Sequence, residues 1–122
     1  MACTEAHIAD SADENLRASN ALSTRLFGRR LPHILLVHDG SFDVLTLDGI
    51  LKRWRAEGVQ FTSLKDALAD SAYSINPNYA HKDGRNFLEQ IAASRHVDIS
   101  DLEPAEYSID QLKRVCKAPL AQ

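Results

Sequence analysis

Residues 33–40, His33-Ile34-Leu35-Leu36-Val37-His38-Asp39-Gly40, constrain this chain more than any other stretch. Four consecutive aliphatic residues end on a histidine and an acid, and a small-residue turn follows. A short, continuously apolar run suits a strand buried on both faces of a parallel sheet. The C-terminal end of such a strand opens into the crevice where α/β folds bind ligands. Gly40-Ser41 break the run, and from Ser41 or Asp43 to Glu57 the period becomes helical. Leu47, Ile50, Leu51 and Trp54 form one apolar face, with Asp48, Lys52, Arg53, Arg55 and Glu57 mostly away from it. Trp54 lies on that stripe and reads as core. Gly58 stands where a helix C-cap is expected, and Val59-Gln60-Phe61 reads as a second short strand.

The flanks read mainly as helix. Residues 1–10 carry no clear signal and are expected to be flexible. Ser11-Ala12-Asp13-Glu14 has the pattern of a capping box and predicts a helix over 12–27, with Leu16, Leu22 and Leu26 on one side and Gly28 as its cap. Arg29-Arg30-Leu31-Pro32 is a connector. Ser63, with Asp66 three residues on, predicts a short helix over 64–69. Asn76-Pro77-Asn78 marks residues 70–82 as loop. Asp83 is placed to cap a helix over 84–95 with Phe87, Leu88, Ile91 and Ala92 inward. Residues 96–104 read as irregular. Ser108 and Gln111 suggest a last helix carrying Ile109, Leu112, Val115 and Cys116, and Pro119 ends it.

The fold class expected is therefore α/β: a partial (β/α) barrel-like unit with two short parallel strands and about five helices. Residues 11–95 form its body, and 96–122 a helical C-terminal extension. Two strands joined by a helix make one right-handed βαβ unit, but they close no barrel. Either the missing strands come from another chain, or the domain is mainly helical with a two-stranded parallel element.

Bulk properties exclude some roles. At 122 residues the chain is one domain's worth, and 44% hydrophobic with 25% charged residues is ordinary for a globular protein. A net charge of -3 gives no electrostatic case for nucleic acid. No apolar run approaches the roughly 20 residues that span a bilayer. The first residues lack the basic and apolar regions of a signal peptide, so a cytoplasmic setting is expected. Cys3 and Cys116 sit near opposite ends without metal-ligand spacing. They read as two free thiols in a reducing compartment.

From Arg25-Leu26-Phe27-Gly28, through the run ending Leu35-Leu36-Val37-His38, to Ala67-Leu68-Ala69-Asp70-Ser71-Ala72-Tyr73, the string resembles the C-terminal part of polysaccharide deacetylases of the NodB-homology type. The likeness covers roughly residues 22–93. It departs at Ser71, where members usually have proline, and at Asn86-Phe87-Leu88-Glu89-Gln90, where a tryptophan-rich ending is usual. The resemblance implies that His38 descends from a general acid that protonates the leaving amine, and that Leu36 descends from a wall of the acetyl pocket. Imidazole suits such a role because it titrates near neutral pH.

The family's metal-binding half is missing. It holds a divalent metal, zinc or cobalt, through a Thr-Phe-Asp-Asp stretch and a His-x-x-x-His motif. The five histidines here are His7, His33, His38, His81 and His96, no two four apart, and neither stretch occurs. Without the metal there is no activated water. The resemblance thus implies a deacetylase-like fragment or short paralogue that does not catalyse alone, with no metal ligands and no cofactor of its own. It would bury its open sheet edge against a second copy or a complementary chain, with carbohydrate as a possible ligand. A homo-oligomer is expected, joined through edges of the β-unit or through the apolar faces of helices 12–27 and 84–95. The alternative is a small α/β binding or regulatory module whose ligand sits at the strand tip, on Asp39 and Gly40, where a turn before a helix can receive an anion.

Overall fold

The computed structural model describes residues 2–37, 41–104 and 114–116. Among these residues the chain forms four α-helices and one 3₁₀ turn, with no strand. The helices are α1 (Ala2–Phe27), α2 (Ser41–Ala56), α3 (Leu64–Leu68) and α4 (Phe87–Ser94), and the 3₁₀ turn covers Ser71–Ser74. The α/β expectation is therefore corrected to a helical fold. Residues 33–37 and 59–61, expected as strands, carry no regular structure. A strand exists only with a ladder to satisfy its backbone groups, and the chain supplies neither run with one among the described residues.

Helix α1 begins ten residues earlier than Ser11 suggested. Nothing between Ala2 and Phe27 is glycine or proline, and alanine, leucine, glutamate and arginine favour propagation. Ser11 consequently lies in the helix interior, where its carbonyl accepts a hydrogen bond from Asn15 Nδ2 at 2.8 Å. The helix stops at Gly28, which adopts φ +69° and returns its N–H to Thr24 O.

Helix α2 ends as its sequence indicated. Gly58 is left-handed at φ 87°, its N–H reaches Arg55 O, and Val59 N–H reaches Trp54 O, the paired bonds of a Schellman motif. Helix α3 starts on the Ser63 cap, whose hydroxyl oxygen accepts from Asp66 N–H. Helix α4 starts three residues later than the 84–95 expectation. The local signal is the reciprocal capping box of Asn86 and Glu89 rather than Asp83.

The chain divides into two compact units. Unit 1 comprises residues 1–15, 37–59 and 104–122, and unit 2 comprises residues 16–36 and 60–103. In unit 1, Ile50 and Trp54 of α2 are buried, as their periodicity predicted, and Asp13 of α1 is buried with them. In unit 2, Leu22, Leu31, Ala72, Leu88, Ala92 and Ile99 form one apolar cluster, with Leu26, Phe27, Phe87, Val97 and Leu102 against it. Apolar residues of the predicted helices 12–27 and 84–95 therefore meet inside unit 2.

Ion pairs fix the rim of unit 2. Arg29 grips Asp70 with two bonds of 2.6 Å, and Arg25 grips Asp101 at 2.6 and 2.8 Å. Arg95 donates to Leu26 O at 2.9 Å, occupying a carbonyl at the end of α1, and stacks 5.0 Å from the Phe27 ring centroid. Among the described residues no helix is long and apolar enough to cross a membrane.

Candidate functional site

Cys3 lies in the first turn of α1, and His7 follows one turn later. Residues i and i+4 share a helix face, so both side chains project to the same side. Cys116 arrives from the far end of the sequence, and its Sγ is bonded to that of Cys3 across a separation of 113 residues. The Sγ atoms of Cys3 and Cys116 and a ring nitrogen of His7 lie within 4.8 Å of one another. Cys3 is exposed, and His7 and Cys116 are half-buried. All three belong to unit 1. This corrects the reading of two free thiols: no described cysteine is free.

Sequence inspection missed the cluster for a definable reason. The signal, Cys-x-x-x-His, is an i, i+4 ligand spacing only if residues 1–10 are helical, and the capping pattern at Ser11 pointed the helix start elsewhere. The third member comes from position 116 and has no local signature.

The second feature is the apolar run itself. Ile34, Leu35, Leu36 and Val37 are all exposed, Leu36 at 81% of its full accessible surface. No backbone hydrogen bond joins residues 34–37 to another described residue. This reverses the expectation of a strand buried on both faces. His38 and Asp39, the other candidate site residues, lie outside the described residues. His33, at the start of the run, turns inward instead. Its Nε2 lies 3.0 Å from Asn20 Oδ1, which accepts the ring proton, and burial lowers its pKa below the ordinary histidine value. Next to it, the Tyr73 hydroxyl donates to Pro32 O at 2.5 Å and its ring packs 5.0 Å from that of Phe87. These contacts anchor the N-terminal end of the run on unit 2, while Leu36 faces solvent.

Unit 1 also contains a buried polar junction. Trp54 Nε1 donates to Asp13 Oδ1 at 2.7 Å, and Asp13 is only 3% exposed. Asp13 Oδ2 accepts no well-angled hydrogen bond, but Arg53 Nη2 stands 2.6 Å away as its counter-charge. Arg53 also donates to Asp10 at 3.1 Å, and that bond, with the surrounding carboxylates, holds the guanidinium above its ordinary pKa. The opposed charges of Arg53, Asp10 and Asp13 offset one another, so the junction reads as a structural clasp between α1 and α2. The buried position of Trp54 agrees with its reading as core.

Comparison with protein families, with characterised proteins and with solved structures finds no match to this chain. The polysaccharide deacetylase resemblance accordingly rests on the quoted strings alone.

Proposed function

We propose that this chain is a non-catalytic interaction module that works as a homo-oligomer, with residues 34–37 as its docking segment. One observation carries the reading: four consecutive aliphatic side chains stand exposed on a stretch whose backbone groups pair with no other described residue. Scattered exposed apolar residues need no explanation, but a contiguous set marks an interaction surface. Backbone groups that pair with no other described residue add a second, directional source of affinity. A second copy is the occupant this segment suits. Two identical segments related by a two-fold axis run antiparallel, so each N–H meets a carbonyl of its twin and the apolar side chains meet one another.

The deacetylase resemblance fits this reading as a statement of descent. The quoted string supplies a closing segment without the family's metal-binding half, and such a chain does not hydrolyse acetyl groups by itself. The reading keeps the cytoplasmic setting, where the thiol pool would set Cys3 and Cys116 between disulfide and dithiol.

Sedimentation velocity tests the proposal. Wild-type protein at tens of micromolar should sediment as a dimer, and Leu36→Lys should shift it to monomer with an unchanged far-ultraviolet circular dichroism spectrum. Leu36 is largely in water, so its replacement leaves the described core intact. A wild-type monomer, or a dimer indifferent to Leu36→Lys, would refute the assignment.

A further inference from the structure

We propose that the Cys3–Cys116 disulfide is one state of a redox-gated metal site, and that the reduced pair, together with His7, binds a single thiophilic divalent cation of the zinc class. The inference is independent of the docking segment, since it rests on different residues. Two sulfurs and an imidazole nitrogen already converge within 4.8 Å. In a tetrahedral zinc site with metal–sulfur bonds of about 2.3 Å and metal–nitrogen bonds of about 2.0 Å, neighbouring ligand atoms stand roughly 3.5–3.8 Å apart. In the cluster as it stands, the sulfurs are closer than this because they are bonded. Once that bond is broken they must separate, and the exposed Cys3 side chain has room to move.

Thiolate and imidazole donors select zinc and its soft neighbours over calcium or magnesium, which take oxygen ligands. Two thiolates neutralise a divalent charge, so the loaded site carries no net charge. The three ligands found among the described residues leave a fourth tetrahedral position, which water can fill.

The chemistry balances with a dithiol as the reductant. A thiolate of the reductant attacks one sulfur of the Cys3–Cys116 bond and forms a mixed disulfide. The reductant's second thiol then closes its own disulfide. Two electrons and two protons have passed to the protein, leaving Cys3 and Cys116 as thiols. Metal binding displaces those two protons to solvent, because the ligand is the thiolate. His7 binds through a ring-nitrogen lone pair. The two covalent states exclude each other: a disulfide sulfur offers no thiolate to the metal.

The outcome is a link between the two ends of the sequence that persists in both conditions. Oxidised, the sulfurs bond to one another. Reduced, a cation spans them and recruits His7.

The test uses the full chain, reduced with dithiothreitol, desalted without oxygen and titrated with cobalt(II). The expected result is saturation at one cobalt per chain, with sulfur-to-metal charge-transfer absorption in the near ultraviolet and the intense visible bands of tetrahedral cobalt. Zinc should displace the cobalt and bleach both. The oxidised protein should give neither. Cys116→Ser should lose the charge-transfer intensity of one thiolate. His7→Ala leaves the disulfide available, so its fold is checked in the oxidised state by circular dichroism against wild type. Reduced His7→Ala should bind cobalt about tenfold or more weakly. Absence of charge-transfer absorption in the reduced wild type, saturation at one cobalt per two chains, or unchanged affinity in His7→Ala would each overturn the proposal.

Discussion

Trp54→Phe probes the clasp in unit 1 most directly. The substitution removes the indole N–H that donates to Asp13 Oδ1 while keeping an aromatic ring at a position 6% exposed. A hydrogen bond to a charged group contributes about 1.5–3 kcal/mol. The smaller ring also leaves a void of roughly 40 Å³, which at about 24 cal/mol per Å³ adds on the order of 1 kcal/mol. Together they predict a loss of about 2.5–4 kcal/mol, large against the roughly 5–15 kcal/mol by which ordinary domains are stable. For a chain of this size the melting temperature should fall by roughly 10–15 °C. Urea denaturation followed by circular dichroism, under oxidising conditions that keep Cys3 and Cys116 joined, measures the change. Trp54 is the sole tryptophan, so fluorescence of the wild type reports the same junction independently. Asp13→Ala supplies the other corner of a double-mutant cycle. The double variant should cost less than the sum of the two single ones, because both remove one bond. A loss under about 1 kcal/mol for Trp54→Phe, or strict additivity in the cycle, would refute the account.

Two further outcomes follow from local geometry. His96 holds φ 54° at the C-terminal end of α4, where Val97 N–H closes onto Ala92 O, a position that glycine occupies without strain. His96→Gly should raise stability by about 0.5–1 kcal/mol in thermal melts, and His96→Ala should give no such gain. The Asp70 carboxyl, hydrogen-bonded by Arg29 and by Ala72 N–H, is held down to about 2. A depressed carboxyl contributes stability that is present above its unfolded value and is lost as pH falls through the folded one. The Asp70 share should therefore vanish between pH 3.8 and about 2. Carboxyl carbon NMR titration should show that low inflection in the wild type and a markedly higher one in Arg29→Gln; an inflection that stays put would show that Arg29 is not its cause.

What was legible in the sequence is what is decided locally. Gly28 and Gly58 end their helices because the backbone there needs a left-handed residue. Ser63 starts α3 because its hydroxyl reaches a neighbouring N–H, and the 3.6-residue period placed Ile50 and Trp54 inward. The errors concern matters that neighbours decide. Continuous aliphatic character at residues 34–37 is compatible with a buried strand, but burial and a ladder both require partner segments, and the described chain brings none. His33, read as part of that strand, instead finds Asn20 of α1. The start of α1 was obscured because a capping pattern at Ser11 is equally at home inside a helix that already has sufficient propensity. Of the candidate site, Leu36 stands in solvent and the Cys3–His7–Cys116 cluster was invisible, since closing a loop of 113 positions leaves no mark on local spacing.

That closure makes residues 3–116 a covalent ring, its joined Cα atoms 5.6 Å apart. In a linear chain, one proteolytic nick yields two molecules. Here a single cut anywhere between Cys3 and Cys116 yields one molecule with its ends relocated, in effect a circular permutant made after synthesis. Cleavage in the irregular residues 76–86 would open new termini far from the old ones in sequence while the original ends stay tied. The nicked form would keep its mass, apart from one added water, until a reductant separates it. Integrity of the backbone and integrity of the molecule are therefore two different properties of this protein, and the thiol–disulfide state of one cysteine pair decides whether damage to the first becomes loss of the second.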